Sequence, residues 1–108
     1  MFYMYNQNNS GGNFITDDKV CRFVIVEAEY ADNADIFAED IGIYFNGCDD
    51  DIDCPCCGDR WSPAWESLDE PKIYSFNPED YDDIFAQVGE VYCRVYYKDG
   101  SVKEYKKV

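Results

Sequence analysis

The chain has 108 residues, enough for one domain with a modest hydrophobic core. Aromatic residues make up 18% of it, which excludes a disordered acidic tail. The formal net charge is −14, which argues against direct binding of nucleic acid or of anionic membranes. Histidine is absent, so the side chain that most often exchanges protons near neutral pH is missing.

The charge is distributed unevenly along the chain. Residues 1–90 carry 21 acids and 4 bases, whereas residues 91–108 carry 5 bases and 2 acids. The acids concentrate in four clusters, at residues 32–40, 49–53, 66–70 and 79–83. A field of this sign attracts basic protein surfaces, and such clusters can imitate the phosphates of a duplex. The alternative is that the acids only keep the protein soluble.

The N-terminus has no basic region followed by an apolar run, so the sequence predicts no signal peptide. No stretch approaches the roughly 18 apolar residues of a membrane span. We therefore expect a soluble, cytoplasmic protein in which the six cysteines are mostly reduced.

The first half of the chain predicts two strands and a helix. Phe2–Tyr5 is a short aromatic strand, and Val20–Tyr30 is apolar on both faces near its centre, as a central strand is. Asp32 is expected to cap the helix and Gly42 to end it. The helix carries an apolar stripe at i, i+3, i+4 and i+7: Ala34, Phe37, Ala38 and Ile41. A short strand at Ile43–Phe45 should follow.

The second half repeats this order. Lys72–Phe76 is predicted as a strand, and Asn77 is expected to cap a second helix. That helix carries the same stripe: Tyr81, Ile84, Phe85 and Val88. Glu90–Tyr97 and Ser101–Val108 are then predicted as two strands, joined by a turn at Asp99–Gly100.

The order strand, helix, strand thus occurs twice, and both helices contain Asp-Ile-Phe-Ala, at residues 35–38 and 83–86. We therefore predict a single α+β domain over residues 1–108 with a ferredoxin-like split βαβ arrangement. Two helices should lie on one face of a mostly antiparallel sheet. A Cys- and Trp-rich insertion at about residues 47–70 and a C-terminal hairpin complete the prediction.

The inserted loop contains Cys54-Pro55-Cys56-Cys57-Gly58, which has the form of a zinc knuckle. The candidate ligands of a structural zinc are Cys48, Cys54 and Cys57, with Cys56, Asp53 or Asp59 as the fourth group. No second Cys-x-x-Cys and no histidine complete the set. The alternative is a metal-free turn whose thiols pack beneath Trp61 and Trp65 as small apolar groups.

A second loop, at residues 6–13, is rich in asparagine and glycine. Adjacent glycines permit positive φ and can point backbone N–H groups into a concavity that holds a phosphate or another polar group. The residues concerned are Asn8, Asn9, Ser10, Gly11 and Gly12. The alternative is a plain hairpin loop.

Four stretches of the chain resemble a family of small uncharacterised acidic proteins encoded by tailed bacteriophages. The stretches are Tyr5–Phe14, Val24–Ala28, Ile41–Phe45 and Asp53–Trp61, and the last, Asp-Cys-Pro-Cys-Cys-Gly-Asp-Arg-Trp, is the most specific. The resemblance implies no activity. It implies an accessory protein made in the cytoplasm of an infected bacterium.

We therefore expect a non-enzymatic phage accessory protein that binds and inhibits a host protein, a defence or DNA-handling factor, through its acidic surface. The residues expected at that surface are Asp49, Asp50, Asp51, Glu79, Asp80, Asp82 and Asp83, together with Arg60 and Trp61. The alternative is a protein that binds a small molecule or sequesters a nucleotide. It would use the loop at residues 6–13 and the aromatic side chains around Trp61.

Overall fold

The structure is a computed structural model, and it describes residues 1–8, 14–45, 47–48, 50, 52–53, 58–64 and 66–108. Its regular elements are four strands and one α-helix, with a short 3-10 helix at Pro78–Asp80. The strands are β1 (Phe2–Asn6), β2 (Phe23–Glu27), β3 (Val91–Tyr96) and β4 (Val102–Lys106), and the helix is α1 (Ala31–Asp40).

The strands form one mixed sheet in the order β1-β2-β3-β4. The central pair, β2 and β3, is parallel, with Val24 opposite Arg94, and both outer pairs are antiparallel. Two parallel neighbours need a crossover between them, and α1 lies in that connection. The C-terminal hairpin is present as predicted, and Gly100 takes a φ of 92° in its turn.

The predicted ferredoxin-like α+β arrangement is wrong. Among the described residues, α1 is the single α-helix, and the sheet is mixed because β2 and β3 are parallel. Chain segments also cover both faces of the sheet rather than one. The single-domain prediction stays a prediction, although residues 58–64 are joined to the core through the buried Trp61.

One face of the sheet packs against α1. Alternate residues of the strands point to this side, and small helix residues let α1 approach closely. The buried side chains here include Tyr3, Tyr5, Val24, Val26, Ala34, Ala38, Ile43 and Trp61. Asp32 does not cap the helix, since the N-cap is Tyr30 and makes no side-chain bond. Gly42 ends the region with a φ of 108°.

Residues 43–45 do not form the predicted strand. The Gly42 N–H donates to the Glu39 carbonyl at 3.1 Å, and the Ile43 N–H donates to the Ala38 carbonyl at 3.0 Å. These bonds satisfy the last carbonyls of α1, so the backbone at Ile43 continues the helix cap instead of joining the sheet.

The opposite face is covered by irregular chain from residues 72 to 88. Its buried cluster is Phe23, Ile25, Ile73, Tyr92, Cys93 and Val95, with Tyr81, Ala86 and Tyr105 packed against it. The predicted strand at Lys72–Phe76 is a tight turn, in which Ile73 and Phe76 exchange backbone hydrogen bonds of 2.9 and 3.0 Å. Tyr74 takes a φ of 56° within this turn.

The predicted second helix stops after three residues. Tyr81 is extended, with φ −79° and ψ 124°, and packs edge to face on Phe23 at 5.1 Å between ring centres. The Asp83 carboxylate then accepts the Phe85 N–H at 3.1 Å, a local bond that competes with helical pairing. Packing and an aspartate turn therefore override an amphipathic pattern that by itself favours a helix.

Candidate functional site

The acidic cluster at residues 79–83 lies on a loop that also exposes apolar side chains. Ile84 is 77% exposed, Phe85 60% and Val88 81%. Glu79, Asp80 and Asp82 are exposed on the same segment. We call these six side chains the 79–88 surface. Apolar residues that the sequence pattern placed in the core thus lie outside it, among carboxylates.

Asp83, predicted at this surface, is instead 1% exposed and forms an ion pair with Arg22. Burial of a carboxylate requires such a partner, since an unpaired charge is costly away from water. The Arg22 guanidinium also lies over the rings of Phe14, Phe23 and Phe85, at 5.1, 4.8 and 4.7 Å from their centres. Asp83 is therefore an anchor beneath the surface and not a contact residue on it.

The C-terminal end of the chain fastens the same loop. The Lys107 ammonium donates to the Asp83 carbonyl at 3.0 Å and pairs with the Asp82 carboxylate. The Gly89 N–H donates to the Lys107 carbonyl at 2.8 Å, and the Lys107 N–H donates to the Glu90 carbonyl at 2.9 Å. The 79–88 surface is thus held at its middle and at its C-terminal end by Lys107, the residue that follows β4.

The other residues predicted for a partner surface differ in exposure. Asp50 is exposed, whereas Asp49 and Asp51 lie outside the described residues. Arg60 is buried, and Trp61 is 1% exposed in the core beside α1. The two predicted groups of residues are therefore not one continuous surface, because Arg60 and Trp61 face the interior.

A buried polar network joins the two predicted loops. The Arg60 guanidinium donates to the Gln7 side-chain oxygen at 2.9 Å and to the Tyr44 hydroxyl at 3.2 Å. The Tyr44 hydroxyl donates to the Asp53 carboxylate at 2.7 Å, which also accepts the Arg60 backbone N–H at 2.7 Å. The Asn8 N–H donates to the Arg60 carbonyl at 2.8 Å. Fully paired networks of this kind fix one arrangement of the chain.

The sequence pattern did not predict this network. One signal was available, because strand alternation continues from Tyr3 and Tyr5 to Gln7 and places its amide on the buried face. Nothing in the sequence indicates that Arg60, 53 positions away, supplies its partner.

The candidate metal ligands lie mostly beyond what the structure describes. Cys54, Cys56 and Cys57 are outside the described residues, as are Asn9, Ser10, Gly11 and Gly12 of the proposed ligand loop. Cys48 is half-buried, and its N–H donates to the Asp59 carboxylate at 2.9 Å. Among the described residues, no group of three metal-ligating side chains is found. The zinc site stays a prediction.

A substitution at Gly47 tests how closely the chain packs in the cysteine loop. A Cβ at this position would lie 2.0 Å from an Asp53 carboxylate oxygen and 2.8 Å from the Tyr44 ring. Gly47→Ala must therefore displace Asp53 from the buried network. We expect it to lower the free energy of unfolding by about 1–3 kcal/mol, measured by chemical denaturation. Gly42→Ala is the control, since nothing lies within 4 Å of its Cβ, and any loss there comes from its φ alone.

Cys21 and Cys93 are buried in the core. Burial raises the pKa of the Cys21 thiol to about 12 and raises the pKa of the Cys93 thiol as well. Because the thiolate is the reactive form, neither should be labelled by a maleimide near pH 8 until the protein unfolds. Peptide mapping by mass spectrometry checks this, and labelling of either thiol in folded protein would contradict the buried placement.

In the described part of the chain, no helix is long and apolar enough to cross a membrane. No curated protein and no solved structure matches the chain. One family model matches residues 1–108, under the description "Domain of unknown function (DUF7296)". The chain therefore belongs to the DUF7296 family.

Proposed function

We propose that this chain is a non-enzymatic phage accessory protein that binds and inhibits a host protein, a defence or DNA-handling factor, in the cytoplasm of the infected bacterium. The observation that carries the proposal is the exposure of Ile84, Phe85 and Val88 among the carboxylates of the 79–88 surface. The phage origin comes from the resemblance described above, and the choice of a host protein as target comes from the acidic charge of the chain.

The apolar part of this surface supports protein binding. Folded chains bury large apolar side chains, and neighbouring exposed ones mark contact sites for other proteins. Ile84 and Val88 are each more than three-quarters exposed. Removing them from water in a complex would supply about 1.5–3 kcal/mol each.

The anchoring beneath the surface supports the same conclusion. Asp83 is held by Arg22, and Lys107 bonds to the Asp83 carbonyl at 3.0 Å. A loop fixed before binding loses little conformational entropy when a partner docks, so more of the contact energy appears as affinity.

The negative charge of the chain favours a basic partner protein. Glu79, Asp80 and Asp82 border the apolar residues, and the whole chain carries −14. Such a field speeds encounter with basic proteins and opposes contact with acidic ones. A protein that handles nucleic acid presents a basic groove, and carboxylates can occupy the positions where phosphates would lie.

The alternative of a small-molecule or nucleotide-binding protein has less support. It relies on the loop at residues 6–13, of which residues 9–13 lie outside the described residues, and on the aromatic side chains around Trp61, which is itself 1% exposed. An indole buried in the core cannot stack on a nucleotide base without opening the fold.

The proposal is tested by affinity capture from bacterial lysate, with each eluate analysed by native mass spectrometry. We expect a stoichiometric basic protein that is lost as ionic strength rises, because exposed charges are screened beyond about 8–10 Å at physiological salt. Asp80→Asn with Asp82→Asn should weaken its capture without unfolding the chain. Capture that is indifferent to salt and to both substitutions would refute the electrostatic mechanism.

A further inference from the structure

Residues 60–64 and 66–68 lie along the outer edge of β1, and residue 65 is outside the described residues. We call this segment the strap. At one end, the Asn8 N–H donates to the Arg60 carbonyl at 2.8 Å. At the other end, Phe2 and Leu68 exchange backbone hydrogen bonds of 2.7 and 2.9 Å. The strap is therefore antiparallel to β1 and joined to it at both ends.

Between these ends, the outward backbone groups of β1 have no backbone partner among the described residues. Gln7 bonds inward, its N–H donating to the Arg22 carbonyl at 2.8 Å, whereas Phe2 bonds outward to the strap. Because successive residues of an antiparallel strand alternate in this way, Met4 and Asn6 turn their N–H and C=O groups outward. No described residue of the strap pairs with them.

Two described residues in the middle of the strap have no N–H group available for this edge. Pro63 has no N–H to donate, and the Ala64 N–H is used by the Asp35 carboxylate at 2.9 Å. A groove of about 580 Å³ remains between strap and strand. That volume lies within the range of about 300–1,000 Å³ typical of ligand pockets. Its lining includes Met4, Asn6, Pro63, Glu66, Lys72 and Tyr74.

The two edges of the sheet differ in their protection. β4 places Lys103 and Lys106 along its edge, and lysines at an edge discourage pairing with another chain. β1 reads Phe-Tyr-Met-Tyr-Asn and carries no charge. Tyr74, on the groove wall, holds a φ of 56° and accepts the Asn6 side-chain amide at 2.7 Å. Strained residues of this kind gather at ligand-binding positions.

We infer that the groove between β1 and the strap binds an extended segment of a partner protein, which adds as a strand to Met4 and Asn6. The segment should alternate basic and apolar side chains. Glu66 lines the groove, and Asp69 and Glu70 are exposed immediately after the strap. Lys72, the one lysine among the described lining residues, lies 3.7 Å from the Glu70 carboxylate. Strand addition of this kind takes its affinity from main-chain bonds and its specificity from alternate side chains. This inference does not depend on the 79–88 surface.

The test uses the full chain, labelled with ¹⁵N, and a short capped peptide of alternating lysine and valine. We expect the peptide to slow hydrogen exchange of the Met4 and Asn6 amides by about tenfold or more, with the 79–88 amides unchanged. A peptide of alternating glutamate and valine should not do so. Protection confined to residues 79–88, equal binding of both peptides, or no protection at β1 would each overturn the inference.

Variants separate the main-chain contact from side-chain effects. Met4→Pro removes one outward N–H, which an edge strand tolerates, and should weaken peptide binding by about three- to tenfold, the equivalent of one hydrogen bond. Met4→Val keeps that N–H and should stay within about twofold. Equal binding by the two variants would overturn the strand-addition geometry. Protection of Met4 and Asn6 that rises with protein concentration, without peptide, would assign the edge to a second copy instead. If Met4→Pro does not fold, the exchange data on the unmodified chain decide.

Discussion

Replacing Asp83 by alanine is expected to lower the free energy of unfolding by about 3 kcal/mol. Removing one partner of a buried ion pair costs about 3–5 kcal/mol, because the remaining charge is left unpaired away from water. The lower end applies here, since the Arg22 side chain is 16% exposed and can recover some hydration. The substitution also removes the acceptor of the Phe85 N–H. Chemical denaturation of both proteins measures the difference.

Asp82→Ala is the matched control for this prediction. The two aspartates are adjacent, but the Asp82 side chain is 79% exposed, although it also forms an ion pair, with Lys107. Exposed pairs contribute about 0–1 kcal/mol, so the loss should be small. Similar losses for the two variants would mean that Asp83 is not a buried anchor.

The second large effect concerns partner binding. Ile84→Ser with Val88→Ser should weaken capture of the basic partner by about a hundredfold, which corresponds to about 2.8 kcal/mol. Both side chains are exposed, at 77% and 81%, so the free energy of unfolding should change by only about 0.5 kcal/mol. Phe85 is left unchanged in this variant because its ring lies 4.7 Å from the Arg22 guanidinium. Quantitative capture and chemical denaturation give the two readouts.

The chain contains its own control for this experiment. Ile36 occupies the same place as Ile84 in the repeated Asp-Ile-Phe-Ala, and it is also largely exposed, at 60%. It lies on α1, away from the 79–88 segment in sequence. Ile36→Ser should leave partner capture unchanged. An equal loss with Ile36→Ser would show that capture depends on general surface hydrophobicity and not on the 79–88 surface.

The local patterns predicted much of the sheet. Aromatic residues identified β1, and apolar residues on both faces identified the centre of β2. The Asp99–Gly100 turn identified the hairpin of β3 and β4. The apolar stripe predicted helix α1 and the face that it buries, and Ala34 and Ala38 of that stripe pack on the sheet. These elements depend on residues that are close in sequence, and a local sequence pattern therefore predicts them.

The failed second helix and the missed polar network both depend on contacts that are distant in sequence. Residues 83–86 repeat residues 35–38, yet only the first copy is helical. Asp83 is bound by Arg22, 61 positions away, whereas Asp35 accepts the Tyr5 hydroxyl and the Ala64 N–H without leaving its helix. The same limit applies to Arg60 and Gln7. A pattern of residue types does not identify such distant partners. These partners determine which of the predicted site residues are buried and which are exposed.

Hydrogen exchange of the captured complex, compared with the free chain, shows directly whether the partner contacts residues 79–88. We predict that binding slows exchange at residues 79–88 by about tenfold or more and leaves α1 unchanged. Protection confined to α1 or to the β3–β4 turn, with residues 79–88 exchanging as in the free chain, would contradict the account.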